Sequence, residues 1–306
     1  MRAIHELQVP RLRRLLTLVK LVLVVISPAS MSNVGWLVFY QITQTILLLR
    51  VLFHGTSSYK TLRQRRKKNG YSGGGVLIDQ YFVLTAAHKI TNLTNVNVIL
   101  GVYNSSNLTN TQTSKVSSIY IHSNYDGTVL KNDIALLMLE SPINFNADVN
   151  AICLPAAGKS FQNTSTGCIV SGFGQTNFAL DDAPTVIMKQ VHVPIVDTNV
   201  CQKSFSDPTL LGSNVDLYLD VQNEICAGGQ AGKDACTQDG GSPLTCYESA
   251  SKKSNLAGLV IWGKKCGQTN VYGVYVNVPS YASWIQCTQL CMVLGTSCAS
   301  CPAKKK

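Results

Sequence analysis

Short apolar stretches, separated by Gly, Asn and Ser, follow one another along the chain from about residue 51. Eight of them are GVLIDQYFVLTAA, NVNVILGVY, SSIYIHS, DIALLMLE, CIVSGFG, KQVHVPIV, NLAGLVIWG and GVYVNV. Dense short strands bounded by turn residues are typical of an all-β barrel or sandwich. The stretch that begins at Pro279, PSYASWIQCTQLCMVLG, instead spaces its apolar residues as a helix does. The pattern predicts an all-β fold with a single, C-terminal α-helix.

Two apolar runs precede the strands. The basic stretch MRAIHELQVPRLRR is followed by the apolar residues 15–26 and by small residues near Ala29, which is the order found in a secretory signal peptide. The second run, residues 34–53, contains Gln, Thr and Arg, so it is a poor transmembrane span, which needs about 20 predominantly apolar residues. We predict a secreted, extracellular protein, with an N-terminal membrane anchor as the alternative.

The predicted domain organisation has three parts. Residues 1–50 form the signal peptide or anchor with a poorly defined N-terminal segment, residues 51–290 form the folded domain, and residues 291–306 form a tail that contains Cys and Lys. With 45% hydrophobic residues, a domain of this length is apolar enough to bury a full core.

Positive charge is concentrated at the two ends of the chain. Residues 1–70 carry twelve Lys or Arg and one acidic residue, and the last three residues are Lys. When that +11 and that +3 are taken from the formal net charge of +10, residues 71–303 are left with −4. The folded domain is therefore mildly acidic, and nucleic acid is not predicted as a partner.

Five of the basic residues stand together in the run LRQRRKK. They are Arg63, Arg65, Arg66, Lys67 and Lys68. The run is open to three interpretations: a solvated loop, a cleavage site for a basic-directed convertase, or an exosite. Such an exosite would bind a polyanion, a microbial surface pattern or a protein partner.

The cysteines indicate an oxidising compartment, and the glycosylation sequons are compatible with secretion. All eleven cysteines lie at or after Cys153, and none forms the paired C-x-x-C blocks with histidine partners that a zinc site needs. We therefore predict disulfides, and neither a metal ion nor another cofactor. Sequons for N-glycosylation stand at Asn92, Asn104, Asn107 and Asn163.

Three motifs occur in a fixed order: YFVLTAAHK, KNDIALLMLE and KDACTQDGGSPLTC. Together they resemble the histidine, aspartate and nucleophile motifs of the trypsin-like and chymotrypsin-like serine proteases. The resemblance covers residues 51–286 and includes AICLP, GCIVSGFGQT, ICAGG and GLVIWGKKCG. It implies two six-stranded antiparallel β-barrels with the site between them, His88 as the general base and Asp133 as the residue that orients it.

The nucleophile position is occupied by Gly240. The family pattern is D-A-C-x-G-D-S-G-G-P-L, and the seven-residue spacing from Cys236 to Pro243 matches it, so Ser242 cannot take the place of the missing serine without breaking that register. Glycine has no oxygen to attack a peptide bond. Loss of a triad nucleophile costs on the order of 10⁶ in turnover, so we predict no proteolysis.

Other departures from the family pattern lie around the same site. Gln238 stands where the family has a glycine whose N–H forms half of the oxyanion hole, and the N–H of Gly240 is the other half. Ile261 replaces a serine that, in the family, helps to hold the aspartate equivalent to Asp133. Because the family residues at these positions are replaced, the resemblance implies that His88 and Asp133 are structural remnants.

The activation switch of the family is also incomplete. Asp239 matches the aspartate that pairs with a new N-terminus, but no sequence like I-V-G-G precedes Gly73. The resemblance further implies that the disulfide beside the histidine is lost, because Lys89 and Gly73 stand at its two positions.

The resemblance places a specificity pocket at Asp234. Trp262, Gly263 and Gly273 would form its walls. Two interpretations stay open: the pocket still accepts Lys or Arg, or Asp234 is an inherited carboxylate that is satisfied by water.

Three disulfides are implied by the same resemblance: Cys168 with Cys246, Cys201 with Cys226, and Cys236 with Cys266. Five cysteines then have no assigned partner: Cys153, Cys287, Cys291, Cys298 and Cys301. Because five is odd, at least one of them has no partner within the chain.

The whole pattern is similar to the arthropod prophenoloxidase-activating and clip-domain protease homologues, many of which have glycine at the nucleophile position. The resemblance implies a secreted, non-catalytic cofactor, decoy or adaptor in an extracellular proteolytic or immune cascade, with proteases or their protein substrates as partners. The alternatives are an active trypsin-like endopeptidase that cleaves after Lys or Arg, and a membrane-tethered adhesion protein.

Overall fold

Two antiparallel β-sheets dominate the computed structural model, which describes residues 51–57, 71–162, 167–176 and 184–302. The first sheet has the strand order β1-β4-β5-β6-β3-β2. Its strands are β1 (Val51–Ser57), β2 (Val76–Leu77), β3 (Phe82–Thr85), β4 (Leu93–Leu100), β5 (Gln112–Ile121) and β6 (Ala135–Leu139). Every residue of β3 is buried, as are four of the five in β6, which explains their continuous apolar sequences.

The second sheet consists of seven strand segments in the order β8-β7-β11-β12-β13-β10-β9. They are β7 (Cys168–Gly172), β8 (Lys189–Val193), β9 (Ile195–Val196), β10 (Glu224–Gly228), β11 (Pro243–Glu248), β12 (Lys253–Gly263) and β13 (Tyr272–Asn277). The C-terminal half of the described chain therefore forms a second antiparallel unit.

A bend at Pro194 closes the second sheet on itself. Pro194 alone separates β8 from β9, yet β8 pairs with β7 at one end of the sheet and β9 pairs with β10 at the other. Proline has no N–H for a strand ladder, so it interrupts the pairing, while its carbonyl still accepts from the Gly228 N–H at 2.9 Å. The seven segments therefore amount to six strands. The predicted fold class, all-β with two six-stranded antiparallel β-barrels, is confirmed, with the barrels present as two curled antiparallel sheets.

The predicted C-terminal helix is present and begins after a 3₁₀ turn, Val278–Tyr281. It is α3 (Ala282–Leu294), and it buries Trp284 and Ile285 in the same hydrophobic cluster as residues of β6. It ends at Gly295, whose φ of 66° is left-handed and whose N–H reaches back to the last turn. The helix thus continues past residue 290, where the sequence analysis placed a domain boundary.

The expectation of a single helix was wrong, because two shorter helices lie in the second half of the chain. They are α1 (Thr198–Phe205) and α2 (Val215–Tyr218). Helix α1 is only eight residues long, too short for its apolar spacing to stand out. Its signals were the N-cap Asp197, whose side chain accepts from the Asn199 N–H at 2.8 Å, and the buried pair Cys201 and Phe205 one turn apart.

Ten of the eleven cysteines form disulfides. The bonds are Cys168–Cys246, Cys201–Cys226, Cys236–Cys266, Cys287–Cys301 and Cys291–Cys298. The last two are nested and fasten residues 296–302 back onto α3. Cys153 keeps a free, half-buried thiol.

No helix within the described ranges is long and apolar enough to span a bilayer. Residues 1–50, for which the sequence predicts a signal peptide or anchor, lie outside those ranges.

Candidate functional site

His88 and Asp133 form a close pair next to the ends of two neighbouring strands of the first sheet. His88 lies in a 3₁₀ turn that follows β3, and Asp133 lies just before β6, which pairs with β3. The imidazole Nδ1 is 2.5 Å from Asp133 Oδ2, and the His88 N–H donates to Asp133 Oδ1 at 2.8 Å. The aspartate is 1% exposed, so both of its oxygens are committed to holding the histidine.

Gly240 lies in the loop before β11 and faces the opposite edge of the imidazole. A Cβ built on Gly240 would stand 2.6 Å from His88 Nε2. The structure therefore brings together all three residues that the motifs marked as a triad. The glycine supplies no nucleophilic atom to this arrangement.

Lys89 fills the space above Gly240, a contact that the sequence analysis did not foresee. Its Cε lies 2.2 Å from the point where the Gly240 Cβ would be. Its stem crosses Gly73, with Cγ and Cδ 2.8 and 2.9 Å from the corresponding point on that glycine. The lysine thus occupies the volume left by the lost disulfide at residues 73 and 89. The sequence did contain one signal of this change: both cysteines that the family has at these two positions are replaced.

The Lys89 ammonium is poorly compensated in its surroundings. Burial lowers the pKa of Lys89, while the charges of Asp239 and Asp133 act in the opposite direction. Within the described ranges the ammonium forms neither a hydrogen bond nor a salt bridge. A cation in this position can be stabilised by an anion that enters from solvent.

Gln238 adopts a backbone conformation that suits glycine. Its φ is 75°, in the left-handed region, as the glycine of the resembling motif would allow. Tyr71 holds this conformation by donating its hydroxyl to the Gln238 carbonyl at 3.1 Å. Across the described ranges, neither the Gln238 N–H nor the Gly240 N–H finds an acceptor. Two backbone donors are therefore available beside the imidazole.

Asp239 is held by backbone amides and forms no salt bridge with another described residue. Its carboxylate accepts from Gly174 N–H at 2.7 Å and Cys236 N–H at 3.0 Å. Burial raises its pKa, and the two hydrogen bonds and the charges of Lys89 and Lys189 counteract that rise. The buried Ser242 lies next to this carboxylate, with its Oγ directed at Gly74.

A cleft of about 220 Å³ runs from His88 and Lys89 toward β13. Its other lining residues are Ala235, Cys236, Thr237, Gln238, Gly240, Val260, Ile261, Trp262, Gly263, Cys266 and Gly273. It contains three of the residues assigned to the specificity pocket, together with both oxyanion positions. Ile261, which is 5% exposed, adds an apolar wall.

Asp234 does not line the cleft but lies next to Gly273, which does. Its Oδ2 accepts from the Gly267 N–H at 3.1 Å, while Oδ1 makes no hydrogen bond within the described ranges. That oxygen is 2.9 Å from where a Cβ on Gly273 would be, and the equally unpaired Tyr275 hydroxyl is 3.2 Å from the same point. Burial is the main reason that the pKa of Asp234 is raised to about 6.

The other predicted surface residues are only partly described. Asn92 and Asn107 are exposed, and Asn104 is half-buried. Asn163 and the basic run at residues 62–68 lie outside the described ranges. No cluster of three or more potential metal ligands occurs in the described part of the chain.

Comparison with known proteins agrees with this geometry. A family model described as trypsin matches residues 54–285. The chain belongs to the trypsin family. It is 40% identical over 227 residues to the protein named inactive CLIP domain-containing serine protease A3 of Aedes aegypti. It is 36% identical over 222 residues to inactive CLIP domain-containing serine protease A8 of Anopheles gambiae.

Phenoloxidase-activating factor 2 of Galleria mellonella is 36% identical over 230 residues. The matches cover 71%, 71% and 72% of this chain, and 46%, 59% and 72% of the three relatives in the order given. This member of the trypsin family thus spans about half of the length of its Aedes relative. The sequence-based resemblance to non-catalytic homologues of the clip-domain type is confirmed.

Proposed function

We propose that this protein is a secreted, non-catalytic trypsin homologue that binds a protease or a protease substrate in an extracellular proteolytic cascade. It would act there as a cofactor, decoy or adaptor. One observation carries the proposal: where a nucleophile would face His88, the chain has Gly240 with the side chain of Lys89 above it.

The missing hydroxyl removes the covalent step of the family's chemistry. In a serine triad the imidazole takes the proton of a serine, whose oxygen then carries the acyl group. His88 and Asp133 keep the geometry of that base, but Gly240 offers them no proton donor. Ser242 is directed at Gly74 and is 1% exposed, which argues against its use as a substitute nucleophile.

Binding is the function that the remaining features support. The cleft retains the Lys89 side chain and the backbone N–H groups of Gln238 and Gly240, which have no acceptor in the described part of the chain. Two relatives carry the word inactive in their names, and a third is named as an activating factor. A protein that supports activation without cleaving a substrate itself is consistent with all three names. Five disulfides favour an extracellular setting.

The proposal has two experimental tests. Purified protein is incubated with Arg-aminomethylcoumarin substrates, and we expect no release of fluorophore above the buffer rate. Tagged protein is then used for affinity capture from extracellular fluid, with the tag alone as the control. We expect proteases or their substrates among the bound proteins. Turnover that disappears in His88→Ala would contradict the first part, and capture of no such protein would contradict the second.

A further inference from the structure

Three hydrogen-bond donors that line the cleft have no acceptor within the described ranges. They are the Lys89 ammonium and the backbone N–H groups of Gln238 and Gly240. His88 lies beside them, and because Asp133 holds its Nδ1, the Nε2 edge faces Gly240. A protonated imidazole would supply a fourth donor from that edge. Unsatisfied donors grouped around a cation favour an anionic ligand.

The nearby carboxylates do not supply the missing acceptor. Asp133 and Asp239 act on Lys89 through their charges, but neither forms a salt bridge with it. Asp133 is committed to His88 by two contacts, and Asp239 accepts from two backbone N–H groups. Their charges oppose the long-range attraction of an anion, so an anionic ligand must bind the ammonium by direct contact. The Lys89 ammonium therefore needs an acceptor from outside the described chain.

An apolar wall adjoins these donors in the same cleft. It consists of Val260 and Ile261, and Trp262 continues it. Val260 is tied to the loop of Gly240, because its carbonyl accepts from the Gly241 N–H at 2.8 Å. A side chain with a short aliphatic stem can lie along this wall while a charged group at its end reaches the donors. An inorganic anion would satisfy the donors but leave the wall uncovered.

We propose that the cleft binds a glutamate side chain of a protein partner, with the stem on the apolar wall and the carboxylate bonded to Lys89. The inference deepens the proposed non-catalytic function and rests on it, because that function supplies the protein partner and leaves no nucleophile at Gly240. A cleft of about 220 Å³ is smaller than the ~300–1,000 Å³ of most small-molecule sites, so it suits one side chain.

The site should distinguish glutamate from glutamine, although the two side chains have nearly the same shape. A carboxylate offers two acceptor oxygens, whereas an amide offers one oxygen and an NH₂ group that can only donate. A neutral amide would leave the Lys89 ammonium without a counter-charge and would set donor against donor. The charge-assisted bond to Lys89, which stands where the resembling family has a cysteine, is therefore the contact that selects the ligand.

The test compares three probes: a glutamate residue blocked at both ends as N-acetyl-glutamate N′-methylamide, its glutamine analogue, and inorganic phosphate. Binding to the whole protein is measured by NMR titration, which suits weak ligands. We expect the glutamate probe to bind at least about tenfold more tightly than the glutamine probe. Equal binding of these two would overturn the inference. Tighter binding of phosphate than of the glutamate probe would also overturn it, because the site would then be one for a small inorganic anion.

Matched variants assign the preference to Lys89. Lys89→Met should remove the preference for glutamate over glutamine, whereas Lys89→Arg, which keeps the positive charge, should retain most of it. Lys115→Met, on the exposed face of β5, is the control and should leave the preference unchanged. Urea denaturation of each variant shows that it is folded, so that a lost preference is not a consequence of unfolding. A preference that persists in Lys89→Met would contradict the assignment.

The failure of this inference is distinguishable from failure of the proposed function. If the protein hydrolyses an Arg-aminomethylcoumarin amide, the non-catalytic function is wrong. If it hydrolyses nothing and captures proteases or their substrates, but shows no preference for glutamate, only the assignment of the ligand is wrong.

Discussion

Lys89 places its Cε 2.2 Å from the point where a Cβ on Gly240 would stand. Real Cβ atoms do not tolerate such a distance, so a side chain at residue 240 and the present position of Lys89 exclude each other. The imidazole is also close, with His88 Nε2 at 2.6 Å from the same point. The flexible end of Lys89 must therefore move before any side chain can stand at residue 240.

Restoring the serine alone should therefore restore very little activity. In Gly240→Ser the new side chain must displace Lys89 before its oxygen can reach the imidazole. We expect kcat/KM for an Arg amide substrate to remain at least about 10⁴-fold below that of a complete triad enzyme. Gly240→Ser with Lys89→Ala should exceed the single variant by about tenfold or more, because the space is then open.

The control for this series is Gly240→Ser with Lys115→Met, which removes a lysine on the exposed face of β5. Its kcat/KM for the Arg amide substrate should equal that of Gly240→Ser alone. If Gly240→Ser alone is as active as the variant that also lacks Lys89, then Lys89 does not obstruct the site.

The left-handed conformation of Gln238 should cost stability. A non-glycine residue with φ of 75° loses roughly 1–2 kcal/mol relative to a favoured conformation, a cost that glycine does not bear. We expect Gln238→Gly to raise the free energy of unfolding by roughly 1 kcal/mol in urea denaturation. Thr237→Gly is the matched control at an adjacent residue without positive φ, and it should lower that free energy. A loss of stability in both variants would contradict the explanation.

Glu224 should make the fold less stable as the pH rises. It is 3% exposed, and burial raises its pKa to about 9, against the opposing effects of a hydrogen bond from the Asp220 N–H and the charge of Lys131. The charges of Asp220 and Asp133 act with burial. The folded state therefore holds a proton that the unfolded state releases above its ordinary pKa of 4.5, so the free energy of unfolding falls between about pH 4.5 and pH 9.

Glu224→Gln tests this pH dependence. The variant should unfold with a similar free energy near pH 4.5 and exceed the parent by roughly 4–5 kcal/mol at pH 8, because the parent loses about 1.4 kcal/mol per pH unit over that interval and the variant does not. Urea denaturation at several pH values measures the difference. Glu140→Gln, at an exposed residue, should leave the pH dependence unchanged. If the free energy of unfolding falls equally steeply with pH in Glu224→Gln and in the parent, Glu224 is not the cause of the pH dependence.

The nested C-terminal disulfides should contribute to stability, in contrast to the free thiol. Removal of Cys287–Cys301, which closes 14 residues, by a double change to Ser should lower the free energy of unfolding by roughly 2–4 kcal/mol. Cys153→Ser removes a thiol that has no disulfide and should cost less than about 1 kcal/mol. Chemical denaturation of the two variants would measure both costs. Equal effects would show that the nested bonds do not constrain the unfolded chain.

The sequence was sufficient for features that depend on linear motifs. The spacing from Cys236 to Pro243 fixed the register that places Gly240 opposite His88, and the geometry agrees with it. The apolar stretches located most strands, because a strand that is buried on one or both faces needs little tertiary information to be recognised.

Other features depend on contacts between distant residues and could not be predicted. The loss of both family cysteines at residues 73 and 89 indicates that a disulfide is missing there. It does not indicate that the Lys89 side chain crosses Gly73 and ends above Gly240, since this depends on how distant parts of the chain pack. The pairing of the four C-terminal cysteines had three solutions within that group, and only the path of the chain after α3 selects the nested one.

The most direct test of the central claim is covalent labelling of the unaltered protein by a fluorophosphonate, read as intact mass. The reagent reacts with an activated serine oxygen at a triad site, and this site has none. We predict no added mass on the parent protein under conditions that label trypsin completely, and partial labelling of Gly240→Ser with Lys89→Ala. A stoichiometric phosphonyl adduct on the parent protein, lost in His88→Ala, would contradict the account.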